Sequence, residues 1–362
     1  MKTALRLAAK ARATASPNPM VGCVIVRGKT VVGRGWHAKA GGPHAEVLAL
    51  REAGDRARGA TLYVTLEPCA HHGRTGPCAN AVIEAGVARV VAAVRDPFAA
   101  VAGKGFARMR RAGIDVVVGD GADEAARLNE AYLMRVRKDR PWIDLKMAAT
   151  LDGKIADRAG RSQWITGAES RRRVHTMRRE SDAVLVGIGT VLADDPTLSA
   201  RNGRRTKELR RIVLDRDLRI PLRSRLLDSE RAPHVRVVAH SDASARKRAA
   251  IEARGATVWT TKLWTGGRVR PSWVAKRAAR EEVPVNRLLI EGGGDVAGSF
   301  LEAGLVDRAH FFYAPKVLGG GIDLARGLAP RLLAQALPLT LEHVRRFGDD
   351  VYLTLVPAGG RG

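Results

Sequence analysis

The sequence predicts an α/β protein of two domains, a three-layer sandwich followed by a second α/β domain. Three observations carry that expectation. Short β-branched runs alternate with helical patterns along the chain, in the order ββαβαβαβα over the first 140 residues. Such alternation implies a mostly parallel sheet with helices on both faces. The stretch KDRPW, residues 138–142, interrupts it with charges and Pro141 before a new strand, so the domains are expected at 1–140 and 141–362. Finally, 362 residues, 45% of them hydrophobic, suffice for two separate cores.

The elements follow in order. MKTALRLAAKARATASPNP is basic and amphipathic, as a transit peptide would be. It runs directly into PNPMVGCVIV, which already reads as domain sequence, so it is taken as the first helix. VGCVIVRG and TVVGRGWH form a hairpin. HAEVLALREAGDRA carries apolar residues at 45, 47, 48, 50 and 53, one face of a helix. ATLYVTLE is a strand, and CANAVIEAG a helix ended by Gly86. VARVVAAV is a buried strand, GKGFARMRRAG a helix, IDVVVG a strand and ADEAARLNEAYLMRVRK one long helix. Beyond Pro141, WIDLKMAAT is a strand and SDAVLVGIGTVLADDP a strand and helix. RRIVLD, HVRVVAH, ATVWT and NRLLIEGGG are strands, with ASARKRAAIEARG and SWVAKRAAREE as helices between them. RAHFFYAPKVLGG and DDVYLTLVP close the sheet. The polar segment 201–209, RNGRRTKEL, reads as a mobile loop.

Composition narrows the function. No apolar run approaches the ~20 residues of a membrane span. Three cysteines make no disulfide framework, which points to a reducing, cytoplasmic setting. The net charge of +25 admits an anionic partner, either nucleic acid or a phosphorylated small molecule. The arginines are scattered through helices and only 4% of residues are aromatic, so few stacking platforms interleave with them. That disfavours nucleic acid and favours a small phosphate ligand. The sequence is compatible with a homo-oligomer and says nothing decisive about it.

Two stretches carry the first chemistry. PHAEVLAL places His44 and Glu46 behind Pro43 at a helix start, and TLEPCAHHGRTGPC supplies Cys69 and Cys78. One imidazole and two thiolates are a preferred Zn²⁺ donor set that leaves a position open for water. A structural zinc site is the alternative, although such sites usually have four protein ligands. Residues two apart on a helix point about 200° away from each other. His44 and Glu46 can share a site only where the helix begins, and Pro43 places His44 in its first turn. Pro68 and Pro77 allow Cys69 and Cys78 each to open a helix, whose dipole favours thiolate. Glu46 need not bind the metal; its task is to take a proton from the metal's water and pass it to the ring nitrogen and the departing ammonia. Zinc nucleobase deaminases divide the work in this way, with a signature H-x-E…P-C-x-x-C. Here eight residues separate the cysteines. Cys23, in an apolar strand, reads as a core thiol.

The long spacer matters. NPMVGCVIV, GGPHAEVLAL, VTLEPCAHHGRTGPC and RDPFAAVAGKG resemble the deaminase half of the bifunctional riboflavin-biosynthesis deaminase/reductases. The resemblance implies a cytidine-deaminase-like fold. It also implies removal of the 2-amino group from a diamino-hydroxy-pyrimidine bearing ribosylamine 5-phosphate. By position it makes Glu46 the proton donor, His44, Cys69 and Cys78 the zinc ligands, and Asn18, His37, His71 and Arg74 substrate contacts. Three departures stand out: Met20 within NPMVG, Gly76 in TGPC, and Phe98 in RDPFA where the family commonly has a polar residue.

LLIEGGGDVAGSFLEAG is a strand, a glycine cluster and a helix, a plausible phosphate cradle that is weak alone. It lies too late in the chain for a Rossmann domain. LKMAATLDGKIA, GRSQWITG, VGIGTVLADDPTLSAR and YAPKVLGG resemble the reductase half of the same family. This implies a dihydrofolate-reductase-like fold, use of NADPH, and reduction of the deaminated pyrimidine's ribosyl group to ribityl. By position the resemblance implies cofactor contacts from Ala148, Trp164, Thr190, Asp194, Gly293, Gly294, Asp295, Val296, Ala297, Gly298 and Ser299. It implies substrate contacts from Ser162, Arg178, Leu198, Arg201 and Glu291. Arg178 and Arg201 suit a 5′-phosphate, Glu291 and Ser162 hydroxyls. Lys146 is a candidate near the reacting carbon, or an ordinary strand lysine. Arg216, after RRIVLD, is a candidate for the cofactor's 2′-phosphate, or a solvated surface arginine. The sequence thus leads to an enzyme acting twice on one phosphorylated pyrimidine. A nucleic-acid-editing deaminase and a regulatory derivative with one dead site are the competing expectations.

Overall fold

A computed structural model describes residues 1–70, 76–201, 209–329 and 332–359. The chain divides into two compact units, Met1–Arg140 and Pro141–Gly362. Among the described residues no helix is long and apolar enough to cross a membrane.

The first unit is built on α1 (Lys2–Ala9), β1 (Gly22–Arg27), β2 (Thr30–Trp36), α2 (Ala45–Ala53), β3 (Thr61–Val64), α3 (Cys78–Glu84), β4 (Arg89–Ala92), α4 (Lys104–Arg111), β5 (Asp115–Val118), α5 (Ala122–Leu128) and α6 (Glu130–Lys138). Its sheet runs β2-β1-β3-β4-β5. Strand β1 is antiparallel to both β2 and β3, whereas β3, β4 and β5 are parallel. The sheet is therefore half antiparallel, less parallel than the alternation implied, because both neighbours of β1 run against it. Successive residues of β1 face opposite ways. Ile25 packs with Ala49, Val82 and Met109 from α2, α3 and α4, and Val24 packs with Ala4 and Leu7 of α1. Helices thus cover both faces, giving three layers. Cys23 is a fully buried core residue.

The one long helix expected over 122–138 is two, α5 and α6, divided at Asn129. The Asn129 side chain is drawn to a distant backbone: the Met20 amide donates to Oδ1 at 2.7 Å, and Nδ2 donates to the Met20 carbonyl at 2.9 Å. An amide that satisfies both polar groups of a non-local residue outweighs the propensity of its own segment.

The second unit contains β6 (Trp142–Thr150), β7 (Lys154–Ala156), α7 (Ala168–Glu180), β8 (Ala183–Gly187), α8 (Ile188–Asp194), β9 (Arg210–Leu214), β10 (Val235–His240), α9 (Ala245–Glu252) and β11 (Thr257–Thr261). There follow the short strands β12 (Trp264–Thr265) and β13 (Arg268–Val269), then α10 (Pro271–Ala279), β14 (Arg287–Ile290), α11 (Gly294–Glu302), β15 (Arg308–Ala314), β16 (Ile322–Asp323), β17 (Leu339–Phe347) and β18 (Asp350–Pro357). The main sheet has the order β11-β10-β9-β8-β14-β6-β15-β18-β17. It is parallel from β11 to β15; β18 and β17 add antiparallel at the end. On β6, Ile143, Leu145 and Met147 face a core shared with Val274 and Ala278 of α10 and Phe300 of α11. Each such side chain contributes about 1.5–3 kcal/mol by leaving water. The alternate residues Asp144, Lys146 and Ala148 face the other side, where Val174 and Met177 of α7 pack with Leu289, Phe312 and Tyr352. The edge strand β17 has no counterpart in the sequence reading, since most of its residues are exposed and no alternation marks it. The segment read as a mobile loop, 201–209, falls mostly outside the described residues.

Candidate active sites

The start of α2 resolves the geometry of His44 and Glu46. His44 is not in the first turn as Pro43 suggested: it precedes the helix with an extended backbone, φ −73° and ψ 159°. That break in the helical rotation lets Glu46, in the first turn, turn toward the same place. His44 Nδ1 lies 3.0 Å from Cys78 Sγ and 3.6 Å from Cys69 Sγ. The three donor atoms fall within 4.8 Å of one another. Donors of a tetrahedral zinc ion with bonds of ~2.0–2.3 Å are about 3.3–3.8 Å apart. The 3.6 Å separation falls in that range and the 3.0 Å one is somewhat shorter, so the donor set fits that metal once the His44–Cys78 pair opens by a few tenths of an ångström.

Cys78 opens α3, with Pro77 just ahead of it. Ala70, directly after Cys69, is not helical, and the five residues that follow lie outside the described residues. The Cys69 sulfur accepts the Cys78 backbone N–H at 3.3 Å, so both sulfurs sit at the start of α3. The Cys78 thiol and the His44 ring lower the pKa of Cys69 to about 4, while sharing with Cys69 and burial push Cys78 up. These shifts favour a thiolate within the pair, the form a cation site requires, and a bound cation would draw off the second proton. Glu46 is 3% exposed, and its burial raises its carboxyl to about 7, against the pull of His44. A group of that kind can hold or release a proton near neutrality.

Asn18 and His37 join this site as a pair. His37 Nδ1 donates to the Pro43 carbonyl at 3.1 Å, which leaves Nε2 to accept from Asn18 Nδ2 at 3.0 Å. Burial lowers the His37 pKa, which favours the neutral ring, with the bond to the Pro43 carbonyl opposing the shift. Its ring stands edge-on to His44, with centroids 5.3 Å apart. Among the described residues no donor meets the Asn18 carbonyl oxygen. His71 and Arg74 lie outside the described residues. Phe98 is 42% exposed, with its amide bound to Asp96 Oδ1 at 2.9 Å.

Sequence reasoning overlooked Glu67. Its buried carboxylate accepts four backbone amides, from Asp96, Gly103, Gly105 and Phe106, at 3.3, 2.9, 3.0 and 3.3 Å. The only local signal was its place in LEPC, two residues before a ligand.

The second unit holds a cavity of about 1220 Å³. Of the residues singled out there by sequence, all line it except Ala297 and Gly298. Ala297 lies on the core side of α11, and Gly298 packs against another segment, where a Cβ would come within 2.3 Å of the Gly327 carbonyl carbon and the Leu328 nitrogen. They serve close packing of the helix, and the cavity is met by Gly293 to Val296 and Ser299.

Helix α7 brings Arg178 to the cavity. Its start is fixed by Asp350 Oδ2, which accepts from the Gly167 amide at 2.7 Å and Ser170 Oγ at 2.5 Å. Arg178 does not stand free. It makes a two-pronged pair with Glu291, Nε to Oε1 at 2.6 Å and Nη2 to Oε2 at 2.8 Å, and Nη1 donates to the Ser199 carbonyl at 3.1 Å. Burial would raise Glu291, but Arg178 more than offsets this and holds its carboxyl below the usual range. Lys146, next along, has its pKa lowered by burial, with Glu291 opposing the shift. His175, one turn before Arg178 and missed in sequence, also lines the cavity, and its Nδ1 donates to Ser199 O at 3.0 Å. Ser162 Oγ and Gln163 Nε2 meet the two oxygens of Asp194 at 3.5 and 3.2 Å. The Arg201 guanidinium reaches only hydroxyls among the described residues, Ser199 Oγ at 3.3 Å and Thr197 Oγ1 at 3.4 Å, while its backbone amide lies 3.3 Å from His175 Nδ1.

The turn after β9 is pinned by Asp215, which accepts the amides of Arg219 and Ile220 at 2.9 and 2.8 Å. It presents Arg216 and Arg219 to the cavity, where Arg225 joins them. Arg216 has Asp217 at 3.3 Å. At the glycine loop Asp295 is clamped by Arg326, with Arg268 3.7 Å away.

Comparison with known proteins gives a consistent pattern. Residues 1–94 match the cytidine and deoxycytidylate deaminase zinc-binding region, and residues 141–353 match the RibD C-terminal domain. The chain is 44% identical to the riboflavin biosynthesis protein RibD of Escherichia coli, over 99% of this chain and 98% of that one. It is 42% identical to its Aquifex aeolicus counterpart, over 98% and 96%. Among solved structures, Acinetobacter baumannii RibD superposes with a TM-score of 0.89 at 37% identity, covering 98% of this chain and 97% of that one. The Thermotoga maritima diaminohydroxyphosphoribosylaminopyrimidine deaminase/5-amino-6-(5-phosphoribosylamino)uracil reductase does so with 0.84 at 34%, covering 99% and 97%.

Proposed function

The chain belongs to the RibD family of bifunctional riboflavin-biosynthesis deaminase/reductases, and on that premise we propose how its own residues divide the two reactions. The deaminase acts within residues 1–140 and the reductase within 141–362. The first substrate is 2,5-diamino-6-ribosylamino-4(3H)-pyrimidinone 5′-phosphate. It loses its 2-amino group as ammonia at the cost of one water. The second reaction reduces the ribosyl group of 5-amino-6-(5-phosphoribosylamino)uracil to ribityl.

In the first reaction His44, Cys69 and Cys78 would hold zinc. When bound, that ion supplies Lewis acidity that makes a water nucleophilic near neutral pH. Glu46 Oε would carry two protons in turn: one from the attacking water to the ring nitrogen, and a second from the hydroxyl left on C2 to the amine as the C–N bond breaks and ammonia departs. A buried carboxyl poised near 7 suits both directions of transfer. His37 holds the Asn18 amide so that its oxygen faces the pyrimidine edge as a fixed acceptor. Arg74 and His71 complete the substrate contacts.

In the second reaction NADPH supplies the hydride for C1′, and the protein's part is orientation. Lys146 lies beside the reacting carbon, with Glu291 keeping its charge. Because Arg178 is committed to Glu291 and Ser199, its part is to position Glu291 for a hydroxyl. Arg201, whose guanidinium meets only hydroxyls among the described residues, grips the 5′-phosphate. Ser162 and Leu198 complete the substrate face. Ala148, Trp164, Thr190, Asp194 and residues 293–296 with Ser299 form the cofactor face. Arg216, with Arg219 and Arg225 on the same rim, favours the cofactor that carries a 2′-phosphate.

The observation that carries the proposal is the convergence of His44, Cys69 and Cys78 beside buried Glu46. Glu46→Gln tests it. Ammonia release should fall ~10²–10⁴-fold, the contribution of a positioned proton-transfer group. Zinc content and reductase turnover on the deaminated intermediate should persist. Ammonia release within a few-fold of the parent would defeat the assignment.

A further inference from the structure

Glu67 sits two residues before Cys69 in the segment Leu66–Glu67–Pro68–Cys69. Its side chain is 4% exposed, and a carboxylate so placed needs its lone pairs satisfied. They are. Oε1 accepts the amides of Gly105 and Phe106, at the start of α4; Oε2 accepts those of Asp96 and Gly103, at the two ends of the loop before it. A carboxylate at a helix start also meets the positive end of the helix dipole. The backbone makes a second contact at the same place: a Cβ on Gly105 would stand 2.0 Å from the Pro68 carbonyl oxygen, so α4 lies directly against Pro68.

These contacts bear on the metal-ligating sulfur. Only Pro68, whose φ is fixed by its ring, separates Glu67 from Cys69. On its other side Cys69 is tied to the start of α3, through its sulfur to the Cys78 amide and through its carbonyl to the Ala79 amide at 3.1 Å. The sulfur is thus set by two helix starts. One acts on it directly, and the other acts through a carboxylate that takes no part in the chemistry.

We propose that Glu67 is a positioning residue for the metal centre, holding the Pro68–Cys69 backbone against the start of α4 so that the Cys69 sulfur meets its two companions. The proposal rests on reading His44, Cys69 and Cys78 as zinc ligands. Glu67→Gln keeps the shape but makes one terminal atom an NH₂, a donor facing two donors, so one of the two amide pairs is lost whichever way it turns. Gly105→Ala perturbs the same contact from the opposite side, by driving the Pro68 carbonyl away.

The test is a titration of full-length protein with Zn²⁺ in competition with a chromophoric chelator, alongside the visible spectrum of the Co²⁺-loaded protein and denaturant unfolding of the metal-free forms. Groups that orient metal ligands typically govern affinity by ~10–100-fold, and a loss of that size is expected in Glu67→Gln and, independently, in Gly105→Ala. The Co²⁺ d–d bands should shift with it. A purely structural Glu67 would lower the stability of metal-free and metal-loaded protein equally and leave Zn²⁺ affinity unchanged. Affinity within threefold of the parent in folded Glu67→Gln overturns the proposal. Should that variant not fold, Gly105→Ala decides by the same criterion. Failure of the parent protein to bind Zn²⁺ would instead overturn the ligand assignment beneath it.

Discussion

Glu291→Gln is the sharpest test of the reductase cavity. Glu291 and Arg178 are joined by two short bonds of 2.6 and 2.8 Å, with side chains only 7% and 16% exposed. Exposed ion pairs are worth about 0–1 kcal/mol, but removing one member of a buried pair costs ~3–5 kcal/mol, because the other charge stays desolvated. Glutamine retains the shape and one acceptor, and Arg178 keeps its bond to Ser199 O, so the lower end, about 3 kcal/mol, is expected. At about 2–4 °C per kcal/mol for a domain of this size, Tm should fall ~6–12 °C in the transition that NADPH shifts. A second consequence follows from sign. Burial lowers the Lys146 pKa and Glu291 raises it, so losing the carboxylate lowers it further, and Lys146 deprotonates at lower pH. If its charge serves the reduction, the alkaline limb of turnover, followed by nicotinamide absorbance, moves toward acid. A stability loss below 1 kcal/mol together with an unmoved alkaline limb would refute both the buried character of the pair and its influence on Lys146.

Two further outcomes are expected. Arg219→Ala combined with Arg216→Ala should raise the KM for NADPH ~10-fold or more while leaving that for NADH within twofold, since a charge-assisted contact to phosphate contributes ~1.5–3 kcal/mol; equal effects on both cofactors would place the 2′-phosphate elsewhere. Asp144 is buried with Arg287 at 2.5 Å and His310 at 3.1 Å, and although burial alone would raise its pKa, Arg287 and His310 hold it below the usual range. A depressed folded pKa contributes stability above the unfolded value of about 3.9 that is lost as pH falls below it, so Asp144→Asn should flatten the acid limb of reductase-domain unfolding between about pH 4 and 2, which denaturant melts across that range would reveal.

What could be read from sequence, and what could not, divides along a physical line. His44, Glu46, Cys69 and Cys78 stood out in the sequence because metal chemistry restricts residue type; proline was a weaker guide, since of Pro43 and Pro77 only the latter is followed directly by a helical residue. The strands around Cys23, Ile143 and Leu185 were legible because burial on a sheet imposes a hydrophobic period. What escaped depends on partners remote in sequence. Asn129 divides a helix for the sake of Met20, 109 positions away. Glu67 is explained only by amides 29 to 39 positions downstream. Arg178 and Glu291 were each assigned to the substrate, whereas the fold assigns them first to each other across 113 positions. In all three cases a polar side chain is satisfied by long-range backbone or charge, and no local pattern can announce that. The active-site pieces that sequence leaves anonymous are therefore the ones that orient others. They carry no chemistry of their own to restrict the residue type, and they become visible only when the donors and acceptors around a buried atom can be counted.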